Sequence, residues 1–227
     1  MTLSKEEKRV LETAGTRSIA VEKGDVIINE GERPENVYLI EKGWACRYKL
    51  LENGENHIMA FLIPGDLCDV HITILEEMDH SIRALTPVTM HKFPADEIRN
   101  IMENHHRLAR ALFWSTLVDE AVLREWLVNM GTRSAEARLA HIFCEMLIRT
   151  RMAGRAEDDN IEFPLTQAEL SESMGLTQVH INRVLQKLRH EGLVKLEKKR
   201  LTILDWDRLK QFSQFDPTYL HCQNVPG

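Results

Sequence analysis

From residue 18 to residue 93 apolar and polar residues alternate in short runs, NVYLIEKG and HIMAFLIPGD among them, punctuated by Gly24, Gly31, Gly43, Gly54 and Gly65. β-branched and aromatic residues at a period near two, closed by turn residues, predict strands. Short strands at this spacing predict a barrel or roll and not a βαβ sheet. From Pro94 the period lengthens. PADEIRNIMENH has an acidic start suited to the positive end of a helix, and a long helix is predicted from about His105 to Met130. Leu108, Leu112, Ser115, Asp119, Val122, Trp126 and Asn129 follow helical spacing, while Leu117, Ala121, Leu123, Leu127 and Val128 place apolar surface on other sides. A helix apolar on several sides needs both its own roll and a partner helix, and so reads as a dimer seam. Burial within one chain would give the same periodicity. Gly131-Thr132 is expected to break this helix as a hinge, Ser134 to cap AEARLAHIFCEMLIRTR, and RMAGRAEDDNIEFP to be a polar connector.

The segment TQAELSESMGLTQVHINRVLQKLRH, residues 166–190, reads as a helix-turn-helix. Thr166 with Glu169 forms a capping box, Gly175 sits where a left-handed residue ends the first helix, and Thr177 caps the second. Ile181, Val184, Leu185 and Leu188 fall on one face of that helix, leaving Gln178, Val179, Asn182, Arg183 and Gln186 on the other. Amide and guanidinium groups on an outward face match the hydrogen-bonding edges of bases in a major groove. After Glu191-Gly192, LVKLE and RLTIL alternate as two strands joined at Lys198-Lys199. A hairpin tipped by Lys198, Lys199 and Arg200 directly after a recognition helix reads as a wing lying on phosphates.

Charge looks wrong for a nucleic-acid partner until it is divided: the chain carries −6, made up of −7 in residues 1–106, −3 in 107–177 and +4 in 178–227. Positive charge lies where the motif lies, as phosphate binding requires. Cys46, Cys68, Cys144 and Cys222 are scattered without a CxxC pair, which fits reduced thiols and neither a disulfide framework nor a zinc site. The charged start MTLSKEEKR and the lack of a long apolar run point to a cytoplasmic protein with no membrane partner.

A glycine-punctuated roll, a long helix, a hinge and a C-terminal winged helix, in that order, resemble the Crp/Fnr family of bacterial transcription regulators. The residues that carry the resemblance are VEKGDVIINEGE, VYLIEKG and LIPGDL in the roll, SAEARLAHIF after the hinge, and LTQAELSESMGLTQVHINRVLQKLRHEGLV at the end. The expected fold is therefore α+β: a jelly-roll-like β-roll effector domain over residues 1–104, a long dimerisation helix over 105–131, and a winged helix-turn-helix over 132–227. The resemblance implies a homodimer that reads double-stranded DNA at a near-palindromic site and contacts RNA polymerase. By position, DNA contacts are expected from Thr166, Gln167, Gln178, Val179, His180, Asn182, Arg183, Lys187, Lys198, Lys199 and Arg200. Arg183 matches a guanine-reading arginine, whereas Val179 stands where the family usually has a glutamate.

The effector region departs from the family. Cyclic-AMP binders hold the phosphate with an arginine and a hydroxyl residue after the Gly65-Asp66-Leu67 turn. Here Met78 stands in the arginine's place among Glu76, Glu77 and Asp79, and carboxylates oppose an anion. The hydroxyl pair that reads adenine is replaced by Leu123 and Arg124, so cyclic-AMP control is disfavoured, and Arg83 is the candidate substitute anion ligand. No cysteine precedes Cys46, which disfavours an iron–sulfur cluster. Haem stays open as an effector through His71, His80, His91 or Cys68. Cys68 is read as packing because Asp66 and Asp69 would raise its pKa. No catalytic signature such as HExxH or GxSxG is present, so an enzyme is disfavoured. The alternatives are an interaction module with a degenerate DNA-binding domain, or a haem- or thiol-based sensor variant of the same family.

Overall fold

The computed structural model describes residues 3–75 and 77–221, the side chains of residues 16 and 17 excepted; Glu76 and Cys222 lie outside the described residues. Contacts divide the chain into two compact units, residues 1–52 with 59–119 and residues 53–58 with 120–227.

Before residue 95 a helix, α1 (Lys5–Ala14), precedes β1 (Thr16–Val21), β2 (Val26–Ile28), β3 (Asn36–Lys42), β4 (Ala45–Leu50), β5 (Asn56–Leu62), β6 (Leu67–Cys68), a short helix α2 (Ile72–Leu75), β7 (Ser81–Ala84) and β8 (Val88–Pro94), all in the first unit but for the first three residues of β5. The strands make two four-stranded sheets, β1-β8-β3-β6 and β2-β7-β4-β5, which is the expected roll. The strands bury Val37, Ile40, Leu62, Ile82 and Met90 in one apolar core. The five glycines of the turns all have positive φ. Gly43 is irreplaceable for a second reason: a Cβ there would stand 2.2 Å from the carbonyl oxygen of Pro87.

Helix α3 (Ala95–Asn104) carries Asp96 and Glu97 in its first turn, as expected. Helix α4 (His106–Thr132) then runs for 27 residues. It continues through Gly131 and Thr132, so the break expected there falls instead at Arg133 and Ser134. A helical glycine costs about 1 kcal/mol relative to alanine. The last turn offsets this with side-chain bonds: Thr132 Oγ1 donates to the Val128 carbonyl at 2.8 Å, and Arg133 donates to Asn129 Oδ1 at 2.8 Å and pairs with Glu125 at 2.7 Å.

The second unit is built on α5 (Ala135–Met152), capped by Ser134 as predicted and buried along most of its length. A polar network crosses its core. Buried Glu145 accepts from Trp126 Nε1 at 3.1 Å, Tyr219 OH at 2.8 Å and Arg149 at 3.2 Å; burial raises its pKa, and the three donors oppose that rise without cancelling it. One turn earlier, fully buried His141 has its Nδ1 2.9 Å from the amide nitrogen of Asn129 and its ring stacked on Tyr219. Because that amide nitrogen can only donate, Nδ1 accepts and His141 is the neutral Nε2–H tautomer. The segment expected to be a polar connector holds a strand: β9 (Asn160–Glu162) pairs with β11 (Arg200–Ile203), which pairs with β10 (Val194–Glu197), and the hairpin becomes a three-stranded sheet. Its one apolar inward residue, Ile161, is too short a signal for a period of two.

Burial and the nearby Arg133 charge push the His141 pKa down to about 3. Its stabilising contribution is present above the unfolded value of about 6.5 and is lost as pH falls below it, at about 1.4 kcal/mol per pH unit until the folded value is reached. Denaturant unfolding of the wild type and His141→Gln, followed by tryptophan fluorescence, should therefore converge in stability between neutral pH and about pH 5 by roughly 2 kcal/mol. Parallel stability curves would mean that His141 does not stay neutral in the fold.

Candidate nucleic-acid interface

Helices α6 (Gln167–Met174) and α7 (Gln178–His190) form the helix-turn-helix. Thr166 and Glu169 make the reciprocal capping box, at 2.6 Å from the Thr166 N–H to the glutamate and 3.2 Å from the Glu169 N–H to the hydroxyl. Gly175 ends α6 in the left-handed region, φ 61°, and Thr177 caps α7 at 3.2 Å. Ile181, Val184, Leu185 and Leu188 are all buried. The opposite face is left outward: Gln178, Val179, Asn182, Arg183, Gln186 and Lys187 are exposed, Val179 by 72 %. His180 is half-buried at the edge of this face, and Gln167 accepts from Asn182 at 3.4 Å, setting the two amides side by side.

The wing joins β10 to β11 through Lys198 and Lys199, with φ of 48° and 61°. Both residues are left-handed, the two-residue hairpin pattern that asparagine and glycine adopt with least strain. The sequence holds lysines there instead, at a strain of about 1 kcal/mol or more per residue. Sequence reasoning placed the turn but missed its strain, since Lys-Lys is not a turn signal. Arg189 at the end of α7 donates to the Leu196 carbonyl and so ties the recognition helix to the wing.

The remaining expected cations differ in availability. Arg183, Lys198 and Lys199 carry no ion pair among the described residues. Lys187 pairs with Glu136 at 3.0 Å, and Arg200 with Glu157 at 2.9 Å while donating to Asn160 at 2.7 Å. Arg200 therefore serves the β9 edge of the sheet and is not a free wing-tip cation; the misread connector that supplies Glu157 and Asn160 is the reason.

The effector candidates of the roll are spread over different tasks. Gly65 and Asp66 close the turn before β6, with Asp66 accepting from the Ile63 N–H at 2.7 Å, and the Leu67 carbonyl accepts from Arg47 at 3.3 Å. Met78 is a core side chain, 2 % exposed, so it fills the roll interior and lines no ligand space. Arg83 lies with its guanidinium carbon 4.8 Å from the centre of the Tyr48 ring, a cation–π contact and not an open anion site. In the second unit Leu123 is exposed and Arg124 pairs with Glu120 at 2.6 Å. Cys68 is buried, and burial first, then Asp69, pushes its thiol pKa far up, which fits packing and not reactivity.

Of the histidines considered for haem, His80 has both ring nitrogens at carboxylates, Nε2 at 3.1 Å from Asp69 and Nδ1 at 2.6 Å from Asp79. Neither is available to iron. His91 lies near Ser18 and Glu41, and His71 near Asp69. The buried ionic group around Asp69 was not anticipated, and its only trace in the sequence is the proximity of Asp69, His71, Asp79 and His80 in one short segment.

Residues 18–105 match the family described as cyclic nucleotide-binding domain, and residues 137–212 the family described as Crp-like helix-turn-helix domain. The chain is 23 % identical over 209 residues to the nitrogen fixation regulation protein FixK of Bradyrhizobium diazoefficiens, covering 92 % of this chain and 86 % of that one. It is 25 % identical to the transcriptional activator protein FnrL of Cereibacter sphaeroides, covering 82 % and 76 %. Among solved structures, FixK2 from Bradyrhizobium japonicum superposes with a TM-score of 0.79 at 22 % identity over 87 % of this chain and 96 % of that one. With a cyclic-nucleotide-binding-type roll ahead of a Crp-like helix-turn-helix, the chain belongs to the Crp/Fnr family of transcription regulators.

Proposed function

We propose that two copies of this chain associate through α4 and read a near-palindromic DNA site in the cytoplasm, with one α7 in each half-site and RNA polymerase as a further partner. The observation that carries the reading is the outward face of α7. Its amide and guanidinium groups and Val179 are exposed while the other face is locked in the core. Arg183 reads guanine through O6 and N7, Asn182 and Gln178 read adenine, and Val179 packs on a thymine methyl. Lys198 and Lys199 contact phosphate, and Thr166, Gln167 and His180 flank the bases or touch the backbone. Lys187 reaches phosphate only by leaving Glu136. The dimer reading rests on Phe113, Trp114, Leu117, Leu123, Leu127 and Val128, large apolar side chains left exposed on one half of the α4 circumference. No helix of the described residues is long and apolar enough to cross a membrane, and the family relatives named above are regulators, so no enzymatic role is assigned.

Selection of DNA sites by the purified protein tests this directly. Half-sites about one helical turn apart are expected; no enrichment by a folded dimer would leave the interaction-module reading. Val179→Glu should change the selected base pair facing that position, and an unchanged half-site would reject its assignment. Arg183→Ala should cost about 1–3 kcal/mol against the correct guanine and little elsewhere, whereas an equal loss on all sequences would make it a phosphate contact. Lys198→Asn with Lys199→Gly should stabilise the fold by about 1 kcal/mol through relief of the turn. The same pair should lower the salt slope of DNA binding by about 1.8, two phosphate contacts at about 0.9 each. Stabilisation with an unchanged slope would take the wing off the DNA.

A further inference from the structure

The first unit contains a chain of charges, buried at its centre, that DNA reading does not use. Asp79, His80, Asp69, Arg47 and Asp119 follow one another at 2.6, 3.1, 2.9 and 3.0 Å. His80 and Asp69 are buried, and Arg47, on β4, is buried with them. Asp119 is on α4, and Arg47 Nη2 also donates to the Leu67 carbonyl. Asp69 is a non-glycine residue at φ 52°, a conformation that persists where surrounding contacts over-determine it.

A neutral imidazole has one N–H and one lone pair. With a carboxylate oxygen at each ring nitrogen, a neutral His80 would set a lone pair against one of them. The geometry is that of an imidazolium donating to both. The groups facing it are Asp69 and, behind it, His71 (3.6 Å from Asp69) on the segment after β6, Asp79 beside it in sequence, Arg47 from β4 and, beyond Arg47, Asp119 from α4. Glu77 of the same loop pairs with Arg33.

We infer that His80 is a proton-operated switch that decides how Arg47 is shared between Asp69 and Asp119, and so how firmly the roll holds the first part of α4. With His80 charged, Asp69 has two cationic partners and Arg47 has a guanidinium nitrogen to spare for Asp119. With His80 neutral, Asp69 depends on Arg47. The Asp69 side chain is 3 % exposed and that of Asp119 is 45 % exposed, so water can replace the partner of Asp119 but not that of Asp69. The α4 limb is the one released. The two carboxylates hold the His80 pKa above its ordinary value against the opposing effect of burial. The bond is therefore complete below the ordinary histidine range and is lost as pH rises through the raised value. Because α4 continues into the unit that carries α7, release is expected to alter DNA affinity, a consequence that rests on the DNA-reading function proposed above.

The test uses the full chain, with histidine NMR titration, hydrogen exchange of residues 106–119 corrected for intrinsic pH effects, and DNA affinity between about pH 6 and about pH 8.5. In the wild type, exchange over 106–119 should rise as His80 titrates, and DNA affinity should change by about fivefold or more. His80→Gln should show the high-pH exchange pattern at all pH values. Asp79→Asn, which removes one exposed carboxylate, should fold normally and move the midpoint to lower pH. Asp119→Asn should leave the His80 titration in place and abolish the pH response of exchange. The proposal is overturned if His80→Gln or Asp119→Asn keeps the wild-type response, or if the Asp79→Asn midpoint does not move. A pH-dependent exchange response with no DNA binding at any pH would support the switch and reject the DNA-reading function.

Discussion

Three carbonyl oxygens left over where α4 and α6 end converge on one guanidinium. Arg138 donates to Met174 at 2.7 Å, to Met130 at 3.3 Å and to Arg133 at 3.4 Å. Helix C-termini leave their last carbonyls without intrahelical partners and carry partial negative charge, so a half-buried cation satisfies both needs at once. The end of α4, the turn after it and the end of α6 are thereby fixed to the first turn of α5. Gly175 follows immediately, and from it the direction of α7. Which side chains α7 presents depends on this anchoring, and its outward face is exposed because the opposite face is packed.

Where local chemistry decides structure, the chain was readable in advance. The Thr166–Glu169 box, the left-handed Gly175, the Thr177 and Ser134 caps and the buried stripe from Ile181 to Leu188 are properties of a few neighbouring residues. All appear as expected. What escaped reading depends on partners distant in sequence. Strand β9 is recognisable only once β11 lies beside it, and the pairing of Arg200 with Glu157 follows from that same strand. Arg47 and Asp119 are 72 residues apart and carry no common pattern. Met78, expected in the place of a phosphate-binding arginine, fills the core, a role that no local pattern announces.

Charge at the DNA end is smaller in effect than in count. Lys187 and Arg200 are engaged by Glu136 and Glu157, so of the cations expected to contact DNA only Arg183 on the helix and Lys198 and Lys199 on the wing carry no ion pair among the described residues. These are two separate points, one on the outward face of α7 and one on the hairpin beside it, joined by the bond from Arg189 to the Leu196 carbonyl. A helix and a hairpin tied in this way present their charges at a set spacing, and a set spacing favours one register on a duplex over a diffuse basic surface.

The cysteines have a practical consequence. Cys46 and Cys68 are buried in the first unit and Cys144 in the second, where burial raises the Cys144 thiol pKa to about 12. A thiol reagent needs both access and thiolate; the folded protein withholds access at all three positions and thiolate at Cys68 and Cys144. In a chain with Cys222 replaced by serine, alkylation thus becomes a clock for opening. Mass spectrometry of the labelled peptides would time the roll and the DNA-reading unit separately within one molecule, with no probe added to either.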